Sequence, residues 1–401
     1  MVDFILSEKR YDFDQVIDRK HSGSVKWDGL KDQFGSEDLL PLWVADMDFR
    51  SPQPVIDALV SRADHGVYGY SLFMPSYYDS VIRWYRRRYG WELKKEWIVY
   101  TPGVVSAISF AIQAFTSPGD RVIVQPPVYY PFFRSIESNG RFVLYNPLRL
   151  VDGHYEMDYD DLEDKVKDPR AKLMILCSPH NPVGRVWRRE ELQRLGDICI
   201  DNGIPVVSDE IHSDLRYPGI KFTNFASISE KFANNSITCT SGSKTFNLAG
   251  LQISNIIIPN TRMRHIFENS CATQGTLHPN FFAADAIQTA YDQCEGWLDE
   301  LLEYISGNLR FLKEYVQEKM PWVKVIDPEG TYLCWLDFRA VEPVPTKLEK
   351  LMKNTAKVAL DDGYIFRIGG DGFQRINLAC PRSLLKKALE QISEAVREHV
   401  L

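Results

Sequence analysis

A chain of 401 residues exceeds one ordinary domain and can bury the cores of two lobes. Hydrophobic content of 44% and charged content of 25% are ordinary for a soluble globular protein. A net charge of -7 argues against nucleic acid as a main partner, since phosphate neutralisation by lysine and arginine dominates such binding.

No basic leader followed by an apolar run opens the chain, and no apolar stretch approaches bilayer length. The seven cysteines (Cys177, Cys199, Cys239, Cys271, Cys294, Cys334 and Cys380) are an odd count without a C-x-x-C pair. Cys177 and Cys239 end apolar runs, where thiols behave as small hydrophobes, so a reducing cytoplasm is the expected home.

Residues 1–40 are polar with scattered glycines and read as an extended arm with little core of its own. The segment Trp43 to Phe49 is more apolar, and Ser51-Pro52 supplies a cap and first-turn proline for a helix. Between Arg83 and Arg88 the basic residues alternate with Trp84 and Tyr85, the pattern of a charged face on a packed helix. From about 98 to 258, apolar runs alternate with amphipathic segments. The runs cover residues 121–125, 141–145, 172–177, 204–208, 236–240 and 252–258; helices are expected at 104–115 and 189–201. That alternation predicts an α/β fold with a doubly wound, mostly parallel sheet. A long amphipathic helix follows from Trp297 to Val316, then strands at 330–338 and 374–378, and a closing helix from Ser383 to Val400. The expected division is a 1–50 arm contributing to the small domain, a large domain over 51–290, and a smaller α+β domain over 291–401.

Chemistry collects at the strand ends, where open α/β sheets bind ligands. Gly103-Val104-Val105 opens the helix after a strand; helix N-termini bind phosphate, although an ordinary strand-to-helix turn reads the same. Tyr129 and Tyr130 follow the next strand, placed either to lie on a heteroaromatic ring or to pack between helices. Asn181 offers an amide donor suited to a phenolate oxygen, and the neighbouring His180 reads as structural. Asp209 emerges from a buried strand and needs a cation, which a protonated pyridine nitrogen would supply. A metal set of Asp209, Glu210, His212 and His180 lacks helical histidine spacing, so no metal is expected. Lys244 sits in Ser241-Gly242-Ser243-Lys244-Thr245, a tight turn that suits a lysine bonded to an aldehyde cofactor, with both serines free to donate to a phosphate. A solvated surface lysine has the same local sequence. Arg375 lies within a strand-like run and wants a carboxylate, either a substrate's or an internal partner's.

Taken together these stretches resemble fold-type I pyridoxal-phosphate enzymes, and among them the cystalysin-like (MalY/PatB) carbon–sulfur β-lyases. The likeness extends over nearly the whole chain. It includes Lys26-Trp27-Asp28, Val44 to Phe49, Gly69-Tyr70, Pro127 to Pro131, the Asn181 and Asp209 stretches, Ser243 to Asn247, and Arg375-Ile376-Asn377. The resemblance implies that Lys244 bonds pyridoxal 5'-phosphate and then moves protons at substrate Cα. It also implies that Asp209 pairs with the ring nitrogen, Asn181 and His212 serve the ring, and Tyr129 stacks on it. Gly103, Val104, Val105, Ser241 and Ser243 would hold the phosphate. Arg375, with Tyr129, Tyr130 and Ala45, would bind an amino-acid substrate. Tyr70 would act from the neighbouring subunit of a homodimer. Ordinary class I aminotransferases carry tyrosine where this chain has His212 and arginine where it has Gln252, departures that favour a lyase. An aminotransferase and a non-catalytic regulatory protein on the same fold are the competing expectations.

Overall fold

The structure, a computed structural model, describes residues 11–276 and 278–400. Its centre is a seven-stranded sheet in the spatial order 98–101, 254–257, 236–240, 206–209, 171–177, 121–124, 142–145. Strand 254–257 runs antiparallel to both its neighbours, and the remaining pairings are parallel. Helices cover both faces, which is why the central strands read as unbroken apolar runs: Val206, Val207, Ile237 and Cys239 have no exposed surface. The helices Val104–Phe115 and Arg189–Asp201 fall where the periodicity puts them.

A second, four-stranded sheet has the order 324–326, 333–337, 373–377, 361–362, all antiparallel. The helix Glu295–Lys319 spans 25 residues, and its apolar stripe (Leu298, Leu301, Ile305, Leu312) packs with Leu385, Leu389, Ile392 and Val396 of the closing helix Arg382–Val400. No helix among the described residues is long and apolar enough to cross a membrane.

Two local expectations are corrected. The arm is not simply extended, because short helices form at Val25–Asp28 and Leu30–Phe34 and bury Lys26 and Leu30 completely or nearly so. Strand Leu40–Pro41 then pairs in parallel with Val358–Ala359. Residues 1–10 of the expected arm lie outside the described residues. Ser51 does not cap the helix Gln53–Asp64. Its hydroxyl donates to the carbonyls of Phe246 (3.2 Å) and Asn247 (3.4 Å), so a long-range contact to the Lys244 turn wins over the local cap.

Candidate active site

The C-terminal ends of the parallel strands deliver their polar residues to one cavity of about 230 Å³. Ala45, Gly103, Val104, Val105, Tyr129, Asn181, Asp209, His212, Ser243 and Lys244 all line it.

Lys244 lies in a compact turn beyond strand 236–240. Its Nζ donates to the Ala45 carbonyl at 2.6 Å. Burial lowers its pKa to about 8, with Asp46 and Asp209 opposing and Arg375 assisting that drop. The turn is fixed from two sides. Thr245 Oγ1 donates to Asp214 at 2.9 Å, and Asn247, left-handed at φ 59°, exchanges hydrogen bonds with Met47.

Asp209 is almost fully buried and accepts one backbone hydrogen bond, from Ile211 at 3.1 Å. Burial raises its pKa to about 7, only partly offset by that amide and by Lys244. His212 shares the cavity; burial, then Lys244 and Arg375, keeps its ring neutral, and its buried Nδ1 has no hydrogen-bond partner. Its ring meets Tyr332 edge-on at 5.8 Å.

Gly103 stands at φ 92° before the helix Val104–Phe115, whose first turn has no side-chain cap. A Cβ at Gly103 would lie 3.3 Å from Gln252 Oε1, so the glycine both takes the left-handed conformation and leaves room for that side chain. Uncapped amides at a helix N-terminus are an anion site. Val105 and Ser243 complete this end of the cavity.

Arg375 is buried beside it. Nη1 donates to Asn181 Oδ1 at 3.0 Å and Nη2 to the Trp43 carbonyl at 2.8 Å, while Nη2 also contacts the Asp361 carboxylate. Nε is buried without a partner. The bond to Arg375 uses only the oxygen of the Asn181 amide and leaves its Nδ2 donors for a ligand in the cavity.

Three expected residues lie elsewhere. Ser241 donates its hydroxyl to the Ile253 carbonyl at 2.6 Å and accepts from Ser243 N–H, shaping the turn from below. Tyr130 packs its ring against Phe366 at 5.8 Å at the start of the helix Pro131–Ser138. Tyr70 is 96% exposed, its ring 5.5 Å from that of His278. Of the metal set, Glu210 is instead held by Ser208, Asn224 and the Phe225 amide, and His180 by the Pro127 carbonyl.

Sequence reasoning did not pick out Asp361, which sits directly opposite Arg375 across two antiparallel strands. No local pattern marks it, because the pairing joins residues fourteen apart through a sheet register. Asn247 carried a readable signal, since asparagine is the side chain best suited to a left-handed turn.

These groups fit one kind of ligand. An anion suits the Gly103 helix end, a ring with a protonated nitrogen suits Asp209, an aldehyde suits Lys244, and a carboxylate suits Arg375. The family model for aminotransferase class I and II matches residues 37–392. The chain is 47% identical to cystathionine beta-lyase PatB of Bacillus subtilis, over 96% of this chain and 99% of that protein. It is 34% identical to protein MalY of Escherichia coli, over 96% and 99%. Among solved structures, cystalysin from Treponema denticola, which contains a pyridoxal 5'-phosphate cofactor, superposes with a TM-score of 0.94 at 41% identity, covering 97% of this chain and 99% of that one. The chain therefore belongs to the aminotransferase class I and II family, in its cystalysin-like, MalY/PatB branch, and has the fold-type I architecture of that family.

Proposed function

We propose that this protein is a pyridoxal-phosphate-dependent carbon–sulfur β-lyase acting on L-cystathionine and related cysteine S-conjugates. The products are a thiol, pyruvate and ammonia. The observation that carries the reading is the convergence of Lys244, Asp209 and Asn181 on one strand-end cavity, with Arg375 bonded to Asn181 beside it, in a chain 47% identical to a cystathionine beta-lyase.

Bound pyridoxal phosphate supplies an electron sink for the pair left when substrate Cα loses its proton. The chain's own residues do the rest. Lys244, its pKa lowered to about 8 by burial, would hold the cofactor's aldehyde carbon and would take the Cα proton of a bound substrate. Asp209 would hold a proton on the ring nitrogen, the cation that its buried carboxylate lacks. Asn181 and neutral His212 would offer hydrogen-bond donors to the ring oxygen, and Tyr129 would cover the ring face. The Gly103–Val105 amides and Ser243 would hold the phosphate, with Gln252 beside them in place of a cation. Arg375 would hold the substrate carboxylate and so keep Cα within reach of Lys244. The β C–S bond then breaks, sulfur leaves as thiolate and takes a proton, and water hydrolyses the remaining three-carbon amine.

The working unit is a homodimer. Val67, Tyr68, Tyr70, Leu72 and Met74 form an exposed apolar stretch, a surface suited to a second copy, and Tyr70 would reach the neighbouring cavity from it. Ala45 borders the substrate side, and Ser241 supports the phosphate end through the turn it shapes. The functional division remains an arm over 1–50, a large domain over 51–290 and a small one over 291–401. Seven buried cysteines, none in a disulfide, suit the cytoplasm.

Incubation with L-cystathionine and no keto acid tests the reaction. Catalytic release of pyruvate is expected. A halt after one equivalent would mean an aminotransferase, and no turnover with retained partner binding a regulatory protein.

A further inference from the structure

The Lys26-Trp27-Asp28 motif and the Val44 to Phe49 stretch meet in a buried ionic clamp that the reaction above leaves unused. Arg19 grips Asp46 with both guanidinium nitrogens, at 3.0 and 2.7 Å, and also reaches the Met47 carbonyl and Asp48. Lys26, with no exposed surface, bonds Asp48 at 2.5 Å and lies 3.7 Å from Asp46. Trp27 Nε1 donates to Asp48 at 2.9 Å.

The clamped segment is the one that faces the lysine. The Ala45 carbonyl accepts from both Lys244 Nζ and Tyr332 Oη. Asn377, two residues after Arg375, donates to the carbonyls of Val44 and Asp46. Asn247, three after Lys244, brackets Met47.

We propose that Asp46, held by Arg19 and Lys26 of the N-terminal arm, is a positioning residue for Lys244, setting both the direction of its amine and its hold on its proton. The arm is thereby part of the machinery that prepares the lysine. This rests on the reading of Lys244 as the reactive amine. Asp46 and Asp209 raise the proton affinity of Lys244, Asp46 the more, and Arg375 lowers it; the neutral His212 ring and Tyr332, which shares the Ala45 carbonyl, are the other titratable groups beside it. Arg19 and Lys26 temper that effect by sharing the charge of Asp46.

The test is trace acetylation of Lys244 across pH in the full chain stripped of cofactor, read by mass spectrometry. Asp46 and Arg19 are each about a fifth exposed, and the buried charges beside them, Lys26 and Asp48, keep each other as partners when either is replaced. Asp46→Asn is expected to move the labelling midpoint down by on the order of one pH unit, and Arg19→Gln to move it up. Asp46→Glu, which keeps the charge, is expected to stay near the parent. Unchanged midpoints, shifts in the same direction, or a fall with Asp46→Glu equal to that with Asp46→Asn would overturn the proposal. Because labelling needs no turnover, a failure of the parent protein to release pyruvate would refute the lyase reading and leave this result standing.

Discussion

Lys244 and Arg375 are cations brought into the same protein interior, and they meet the cost of burial differently. The lysine gives up part of its proton affinity, falling to about 8, and can therefore act as a nucleophile and base near neutral pH. The arginine recruits Asp361, Asn181 and the Trp43 carbonyl. Lys244→Ala is expected to lower kcat by at least about 10²–10⁴-fold while the fold and noncovalent cofactor binding persist, measured by pyruvate release and absorbance. Arg375→Lys loses the planar fork, so KM for the amino acid is expected to rise about tenfold or more, with a smaller change in kcat. Asp361→Ala strands a buried guanidinium and is expected to destabilise the protein by about 3–5 kcal/mol in denaturant unfolding. Asp209 titrates near 7 in the cofactor-free chain because burial disfavours its charged form, well above about 3.9 in an unfolded chain. The folded state therefore binds the extra proton, and this group erodes stability as pH rises from about 4 through 7. Asp209→Asn is expected to raise the melting temperature of the cofactor-free protein at pH 8 relative to pH 5 and to weaken retention of pyridoxal phosphate. A melting temperature gap independent of pH would contradict the burial of an unpaired carboxylate.

At the level of elements, the site depends on where strands stop. Three of the parallel strands end by lifting one polar side chain clear of the apolar sheet: Asn181 after 171–177, Asp209 at the end of 206–209, Lys244 after 236–240. The helix Val104–Phe115 begins at the same edge and offers its uncapped amides. Gly103 is the hinge of that arrangement. Gly103→Ala forces a side chain into the left-handed region at a cost of about 1–2 kcal/mol and crowds Gln252. A several-fold weaker cofactor affinity is the expected result, measured by fluorescence titration of the stripped protein. The strands themselves were legible because both faces are buried, which makes their sequences continuously apolar. The cap at Ser51 was misread for the opposite reason: a local pattern was outbid by a partner almost two hundred residues away.

For the whole molecule, the cavity described from one chain lacks any contribution from Tyr70, which stands on an exposed apolar stretch. If two copies complete each other's sites, mixing an inactive Lys244→Ala protein with a Tyr70→Ala protein of low activity should yield hybrids with one intact site and measurable turnover above either parent. Sedimentation of the active species as a monomer, with no complementation on mixing, would rule out the shared site.

The amino-acid sequence by itself determined the alternation of strands and helices and the residue types gathered at the strand ends, because burial on two faces and special turn conformations leave local marks. It also carried the likeness to pyridoxal-phosphate enzymes, through motifs spread along nearly the whole chain. Only the tertiary structure decided that Arg375 is already partnered by Asp361, that Ser241 braces a turn instead of lining the cavity, and that Arg19 and Lys26 clamp the peptide facing Lys244. Those facts are sheet registers and ion pairs between distant segments, and the energy of such contacts depends on distances that no local pattern encodes.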